Sequence, residues 1–594
     1  MQAKYVKEFW LFLTGVIALL TIVNFTTRLV AFLTKLGQPL DRQNSSEAVP
    51  PGRTGKLSIR RIPAAFTSVF KVVAFRTTIP IGLSSVSSVS ELVFITGYMT
   101  ALLVWLFVDT RDLTKFFYED RAAHLASCQL PLIVALAGKN NIISFLVGIG
   151  HEKLNVLHRA AARACLLLLW IHAMVRYKSG LPASFNLTHD WMRWGVVGLA
   201  AFTLAAILSI RPIRHAAFEF FLVTHIILIA IFLVGGYMHA KAPGFGDYIW
   251  PALLVWGLDR FLRFTYLLWN NRVWRGNAES AATVELITSD TVRLTLHRRF
   301  SWKAGQHAYV VLPSVSNLPT EAHPFTIASI PYRLDGREQS KKEVVFLIRG
   351  RSGFTQRLRE HATAKIAGSV PALIDGPYGY PPNLKVFHTC VLIVGGSGVS
   401  YTLPLLLDLI HNGRSNKSAV RRILFVWCIR DPEHLSWIAK SLSSALTNAP
   451  STLHIDARIH ITQSNGKLPS LKALDYDDMK ESSEDIKTPS SPSGSAEYDD
   501  IKAPLPSPSI SVENNIDSGF KSFTTVLGRP DIDQLLKDAV LTADGPVSVD
   551  VAGPSSLAES IRGVLSSDIV SPIGVLKGVP SVTLHVETFG MVKG

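Results

Sequence analysis

Only four cysteines occur in 594 residues. Cys128, Cys165, Cys390 and Cys428 stand far apart and show neither paired nor metal-type spacing, so neither a disulfide framework nor a zinc site follows. Charge is scarce as well: Asp, Glu, Lys and Arg make up 18% of the chain against 48% hydrophobic residues, and the mean hydropathy is +0.26. A soluble domain usually carries about a quarter charged residues, so the balance points to a membrane protein with a soluble part. The length exceeds any single core, and several domains are expected. The charge that remains is unbalanced, 60 Lys and Arg against 45 Asp and Glu, a formal +15. Those basic residues are spread among loops and form no recognition helix, so nucleic acid is not an expected partner. Positive-inside topology and anionic cofactors account for the excess.

What the chain has instead is long apolar runs, at about 9–27, 92–108, 130–150, 160–177, 194–210, 217–238 and 249–268. Each is near the roughly twenty residues a bilayer needs. Lys139-Asn140-Asn141 interrupts the third. The first lacks a clear small-residue cleavage site and reads as a retained anchor. Arg53, Lys56, Arg60, Arg61 and Lys71, then 151–159, then Arg211 and Arg214, all fall on one side, the cytoplasmic one, which also receives everything after Leu268. Asn186-Leu187-Thr188 then lies outside and is open to glycosylation, whereas Asn44-Ser45-Ser46 lies inside.

Four histidines break this apolar half at a repeated interval. His158 and His172 are fourteen positions apart, and so are His225 and His239. Fourteen helical residues turn about 1400°, roughly 40° short of four turns, and rise about 21 Å. Each pair therefore shares one helix face at two depths. An imidazole in an apolar span needs a partner or a metal, because an unpaired polar group in hydrocarbon costs several kcal/mol. Two helices so marked would clamp two stacked b-type haems, His158 with His225 on the inner one and His172 with His239 on the outer. Any one of these histidines alone is better explained by capping a helix or bonding a carbonyl. It is the repeated interval that points to haem. His151 and His215 fall outside it and read as interfacial. Arg159 and Arg163 stand where they would meet inner haem propionates, or serve only as flanking charge.

After residue 270 the period changes to two, with Val284, Leu286, then Val292, Leu294, Leu296, then Tyr309, Val311, and later Val345, Leu347. Short strands divided by Gly and Pro predict a small antiparallel barrel. From Cys390 the order is strand, glycine loop, helix, with further buried strands at 423–429 and 547–551, an α/β dinucleotide-type domain. Residues 466–522 interrupt it with Ser, Pro, Asp and Glu and a near-repeat, Tyr476-Asp-Asp-Met-Lys480 and Tyr498-Asp-Asp-Ile-Lys502. That composition buries no core and reads as a disordered insertion in a surface loop. The expected plan is an anchor and basic loop at 1–90, a transmembrane haem domain at 91–270, a flavin barrel at 271–384 and a nucleotide domain at 385–594.

Four motifs mark the soluble half. His323-Pro-Phe-Thr-Ile-Ala-Ser329 and Arg349-Gly-Arg-Ser-Gly-Phe-Thr355 supply what a flavin needs, donors around a flat pocket and a turn whose N–H groups meet a pyrophosphate. Asp375-Gly-Pro-Tyr-Gly379 and Gly395-Gly-Ser-Gly398 add glycine turns, the second leading into a helix whose N-terminus favours phosphate. Tyr401 occupies the place of the usual third glycine, so this loop alone is equally a tight strand-to-helix turn.

Taken in this order, from about residue 130 to the C-terminus, the chain resembles the fungal ferric and cupric reductases, within the flavocytochrome group that includes the NADPH oxidases. The resemblance implies an all-α transmembrane haem bundle followed by a ferredoxin-reductase-like module. It implies haem ligation by His158, His172, His225 and His239, and FAD binding by His323, Pro324, Phe325 and Thr326 with Arg349, Gly353, Phe354 and Thr355. NADPH is expected on Gly395, Gly396 and Gly398 and beside Gly553 and Pro554, with Arg430 at its 2′-phosphate and Arg529 (in Gly528-Arg529-Pro530) as another nucleotide contact, and Gly376 and Pro377 are further cofactor-binding residues. Phe589 matches an aromatic ring placed against the flavin. The family usually carries Cys-Gly-Pro beside the nicotinamide, whereas this chain has Ala552-Gly553-Pro554, which keeps the turn and loses the thiol. The implied activity is electron transfer from cytosolic NADPH through FAD and two haems b to an outside Fe(III) chelate or Cu(II). The membrane is the plasma membrane or the vacuolar one, with a multicopper oxidase or permease as partner. Superoxide production and a haem-binding scaffold without turnover are the rivals.

Overall fold

The computed structural model describes residues 3–36, 61–71, 78–81, 85–108, 115–180, 182–272, 274, 281–318, 321–332, 340–364, 369–463, 523–566 and 572–588. The insertion 466–522, Asn44 and Phe589 lie outside the described residues.

The apolar half forms α1 (Ala3–Leu36), α2 (Val89–Phe107), α3 (Lys115–Cys128), α4 (Leu130–Ala137), α5 (His151–Ser179), α6 (Asp190–Leu208), α7 (Phe218–Lys241) and α8 (Trp250–Asn271). Among the described residues five helices are long and apolar enough to cross a membrane, within α1, α2, α5, α6 and α7. The expected third span differs. Its helix starts earlier, as α3, continues through Gln129 into α4 and stops at Gly138, after which Asn141 caps a separate short helix, Ile142–Val147. Glu119, Asp120, Arg121 and His124 hide this start in the sequence. Arg121 is nonetheless buried, because its guanidinium donates to the last carbonyls of α2, Val108 O at 2.5 Å and Leu106 O at 3.3 Å, and lies 4.2 Å from the Tyr5 ring. The expected seventh span, α8, carries Asp259, Arg260 and Arg263 and is not among the five.

Helices α6 and α7 approach closely through glycines. A Cβ on Gly235 would lie 2.9 Å from Trp194 O, and one on Gly198 3.3 Å from Gly236 N. Small residues here let backbones meet where lipid supplies no hydrophobic drive. Phe202 and Phe232 stack beside them at 4.3 Å.

The barrel comprises β1 (Ala281–Thr288), β2 (Thr291–Arg298), β3 (His307–Val311), β4 (His323–Thr326), β5 (Lys342–Arg349), β6 (Ser369–Pro371) and β7 (Leu373–Tyr378), with helix α9 (Gly353–Thr363) across its base. Two antiparallel sheets, in the orders β5-β2-β1-β6 and β4-β3-β7, enclose Val292, Leu294, Leu296, Ala308, Val310, Val344, Phe346 and Ile348. The phase on β3 and β5 is thus the opposite of the expected one. Val345 and Leu347 face the nucleotide domain instead. Strands apolar on both faces carry no alternation to choose between them.

The nucleotide domain is a parallel sheet of β8 (Thr389–Gly395), β9 (Arg422–Ile429), β10 (His454–Ile461), β11 (Thr524–Leu527), β12 (Val547–Gly553) and β13 (Val582–Thr588), in the order β11-β10-β9-β8-β12-β13. Helix α10 (Val399–Arg414) covers one face, and α11 (Ile532–Leu541) with α12 (Ser555–Leu565) covers the other. The strand order reverses between β8 and β12, which is where open α/β sheets bind ligands.

The last turn of α8 joins the two halves. Buried Asn271 accepts from Ile374 N at 2.9 Å and donates to Ile374 O at 2.9 Å, closing on β7 as an extra strand would, while Asn270 donates to Gly376 O at 2.5 Å. Asn271→Ala leaves both Ile374 groups buried and unpaired, at about 1–3 kcal/mol. A lower denaturant midpoint for the soluble half, followed by tryptophan fluorescence, is the expected result; an unchanged midpoint would contradict this role.

Candidate functional site

The sequence-predicted histidines lie on α5 and α7, which run in the same direction. The start of each faces the barrel: His151 is 6.0 Å from the His307 and Tyr378 rings, and Glu219 is 4.0 Å from His323. Fourteen residues along, His172 and His239 meet with ring centroids 6.3 Å apart. Two imidazoles sharing one metal, with bonds of about 2 Å each, place their ring centres about 6 Å apart. Three of the four are oriented through Nδ1. His158 bonds Ile133 O at 2.9 Å, His239 bonds Trp191 O at 3.0 Å, and His225 lies 3.3 Å from Ser209 Oγ. Holding Nδ1 in this way turns Nε2 to the other side, the arrangement that metal-ligating histidines use. Gly195 makes the room, since a Cβ there would stand 2.6 Å from His239 Nδ1. These residues fit haem. Sequence reasoning missed Ser209, Gly195 and the carbonyls of Ile133 and Trp191, because a backbone acceptor leaves no residue signature.

In the barrel the two flavin motifs come together. His323 of β4 stacks on Phe354 of α9 at 4.4 Å, and Phe325 lies 6.2 Å from the same ring. Pro324, Phe325 and Thr326 leave an open face beside the exposed start of α9, where Gly353 has a φ of 54°. An open flat face next to a helix N-terminus fits a flavin and its phosphates. His323 Nε2 is 2.7 Å from Glu321 Oε1, and Arg357 holds both oxygens of that carboxylate at 3.0 Å. Burial works against charge on Glu321, yet the His323 bond and Arg357 keep its carboxyl below the ordinary range. Neither Glu321 nor Arg357 belongs to a motif. Arg349 is turned elsewhere, onto Asp290 at 2.5 Å, and the Thr355 hydroxyl accepts from Arg351 N at 3.1 Å within the helix cap. Gly376 precedes Pro377 in β7, and a Cβ on it would press on Ala308 at 3.0 Å.

At the switch point the glycine turns interlock. A Cβ on Gly398 would lie 2.7 Å from Ala552 O, one on Gly553 3.1 Å from Gly395 N, and one on Gly395 3.0 Å from Pro554 Cδ. Gly396 has a φ of 56°, and its carbonyl accepts from Trp427 Nε1 at 3.0 Å. Tyr401 replaces the third glycine because α10 packs there on the barrel, where a Cβ on Gly305 would meet its ring at 3.0 Å. Arg430 and Arg529 are both exposed at the carboxyl edge of the sheet, after β9 and β11. Burial pushes the Cys428 thiol up to about 11, and the Arg529 charge pulls the other way. Ala552 is fully buried between these turns. In the loop between α5 and α6, His189 Nε2 bonds Ala183 O at 3.1 Å, and Asp190 at the start of α6 pairs with Arg193 at 2.7 Å.

Because the Gly398 contact is with backbone, Gly398→Ala must displace the Ala552 turn. Titration should show dinucleotide affinity lowered by about tenfold, roughly 1.4 kcal/mol, with bound flavin unchanged; unaltered affinity would remove this turn from the nucleotide site.

Comparison with known proteins agrees with this layout. The family described as ferric reductase like transmembrane component matches residues 122–236, an FAD-binding domain matches 277–382, and a ferric reductase NAD binding domain matches 387–565. The chain is 26% identical over 459 residues to the Candida albicans "Ferric/cupric reductase transmembrane component 1", covering 76% of this chain and 55% of that protein. It is 30% identical over 355 residues to the Aspergillus oryzae "Probable cell surface ferric reductase kap2", covering 56% and 46% respectively. With the Saccharomyces cerevisiae "Ferric reductase transmembrane component 4" it shares 26% over 482 residues, 78% of this chain and 62% of that one. The chain thus spans about half to three-fifths of the length of these relatives. Helical membrane half, FAD-binding barrel and NAD-binding sheet follow in the same order in structure and comparison, and over most of its length the chain is similar to fungal ferric/cupric reductases.

Proposed function

We propose that the protein carries electrons from NADPH, through FAD and two haems b, across a membrane to an Fe(III) chelate or Cu(II). The observation that carries this reading is the pair of parallel helices, α5 and α7, whose histidines meet at 6.3 Å at one end and whose other ends abut the flavin barrel. Bound flavin and haem would supply the change from two-electron hydride chemistry to single electrons.

The chain's own residues bind, orient and exclude. Gly395, Gly396, Gly398, Gly553 and Pro554 bring backbone close to the dinucleotide, and Arg430 with Arg529 offers guanidinium to a 2′-phosphate, which favours NADPH over NADH. His323, Pro324, Phe325 and Thr326 present the flavin face, with Gly353 and Phe354 at the helix start. His158 with His225, and His172 with His239, would each hold one haem, which when bound would supply single-electron transfer to the acceptor. Arg159 and Arg163 stand at the inner end of α5 for the propionates.

A metal acceptor is favoured over dioxygen by the outer connections. Between α5 and α6 only residues 180–189 intervene, and between α7 and α8 only 242–249. Loops this short build no thick cap over the outer site, so a chelate can approach. The plasma membrane suits an acceptor outside the cell, and the ferrous product suits a neighbouring multicopper oxidase or permease.

Anaerobic NADPH should reduce the haem bands of the purified protein, and an added Fe(III) chelate should reoxidise them. Iron reduction in air should largely survive superoxide dismutase. Its abolition by the dismutase would make dioxygen the acceptor, and haem that NADPH fails to reduce would make the protein a scaffold.

A further inference from the structure

Lys139-Asn140-Asn141 interrupts the third apolar run. In the fold it is a docking element. The turn between α4 and the short helix Ile142–Val147 reaches the flavin barrel, and Lys139 Nζ sits 2.8 Å from the centre of the Tyr309 ring of β3, 3.6 Å from Asp375 Oδ2 and 5.7 Å from the Tyr378 ring, both of β7. Both side chains are nearly closed off from solvent, Lys139 at 14% and Asp375 at 5% exposure. From the membrane half Arg263 of α8 also reaches Asp375, at 2.8 and 3.2 Å, and the buried Asp259 of α8 accepts from Asn140 N at 3.0 Å, fixing the turn from behind. Burial drives the Lys139 amine well below the ordinary lysine range, and Arg263 adds to this, while Asp375 and Asp259 oppose it.

The contact closes around a continuous aromatic group. His307 lies 5.9 Å from Tyr309 and 6.2 Å from Tyr378, and His151 lies 6.0 Å from both His307 and Tyr378. His151 begins α5, seven residues and about 10.5 Å of helix rise before His158. Tyr309 is directly paired with Pro324 in the flavin strand. One end of the group therefore touches the flavin strand and the other the helix of the inner histidine.

We propose that Lys139 is a positioning residue, a latch on Tyr309 and Asp375 that fixes the flavin barrel against the haem bundle and so sets the rate of electron transfer from flavin to the inner haem. In each transfer the reduced flavin loses one electron and one ferric haem becomes ferrous. The latch residues Tyr309 and Asp375 belong to the barrel strands β3 and β7, whereas the nucleotide turns at 395–398 and 553–554 belong to the parallel sheet, so the hydride step from NADPH to flavin should not depend on the latch. The proposal rests on the flavin and haem reading above.

Lys139→Met keeps the stem and removes the cation, and Arg263 still pairs Asp375, so the variant retains its fold. In anaerobic stopped flow with NADPH, flavin reduction in Lys139→Met should stay within about twofold of the unaltered protein, while haem reduction slows by about tenfold or more. Lys139→Arg, which restores a cation over the ring, should bring haem reduction back to within about threefold. Backbone hydrogen exchange at 373–378 should quicken in Lys139→Met alone. Haem reduction at the unaltered rate, or a slowing that arginine fails to restore, overturns the proposal. If the unaltered protein shows no haem band that NADPH reduces, the parent reading fails on its own, and the exchange comparison decides the latch: unchanged exchange at 373–378 in Lys139→Met overturns it.

Discussion

Everything in the membrane half follows from the cost of placing an imidazole in hydrocarbon. Each such ring needs a partner on each nitrogen, and the fold supplies one from the protein: Ile133 O for His158, Trp191 O for His239 and the Ser209 hydroxyl for His225. Helices α5 and α7 run in the same direction, close enough for His172 and His239 to face each other, so that a second partner could be met between them. Running two neighbouring helices in the same direction in turn demands a third between them, α6, and the glycines at 195, 198 and 235 let it fit without pushing His239 aside.

The soluble half answers a different constraint, that three surfaces must meet at one place. The glycine turns of β8 and β12 interlock so tightly that no Cβ is tolerated at Gly398 without moving Ala552. The barrel lends Val345 and Leu347 to the nucleotide core and, through Gly305, receives Tyr401 from α10. Barrel and sheet are therefore one packed unit. That unit is tied to the membrane bundle by polar groups, Asn270, Asn271, Arg263 and Lys139, all closing on β7. Polar ties suit a junction at the membrane surface, where hydrophobic burial alone would specify no register.

Much of this was legible in the sequence where a residue type has a narrow physical use. The fourteen-residue histidine interval, the His323-Pro-Phe-Thr326 strand and the Gly395-Gly-Ser-Gly398 turn all fall where pattern places them. What pattern could not give was choice between equals. On β3 and β5 both faces are apolar, so the period of two carried no phase. The helical segment ahead of α5 begins some fifteen residues before the expected start because Glu119, Asp120, Arg121 and His124 look soluble until Arg121 is seen capping α2. Arg349 bonds Asp290, and Glu321 stands beside His323, neither of which a motif signals. Such pairings are set by three-dimensional neighbours and leave no trace in spacing.

The claim on which the rest depends is that two histidine pairs hold two haems, one above the other. The most direct measurement is a pyridine haemochrome assay of the purified chain alongside the single variants His158→Ala, His172→Ala, His225→Ala and His239→Ala. The account predicts a haem-to-protein ratio near two, with His172→Ala and His239→Ala losing the same haem and His158→Ala and His225→Ala losing the other. A ratio of one in the unaltered protein, or an undiminished haem spectrum in all four variants, would contradict it.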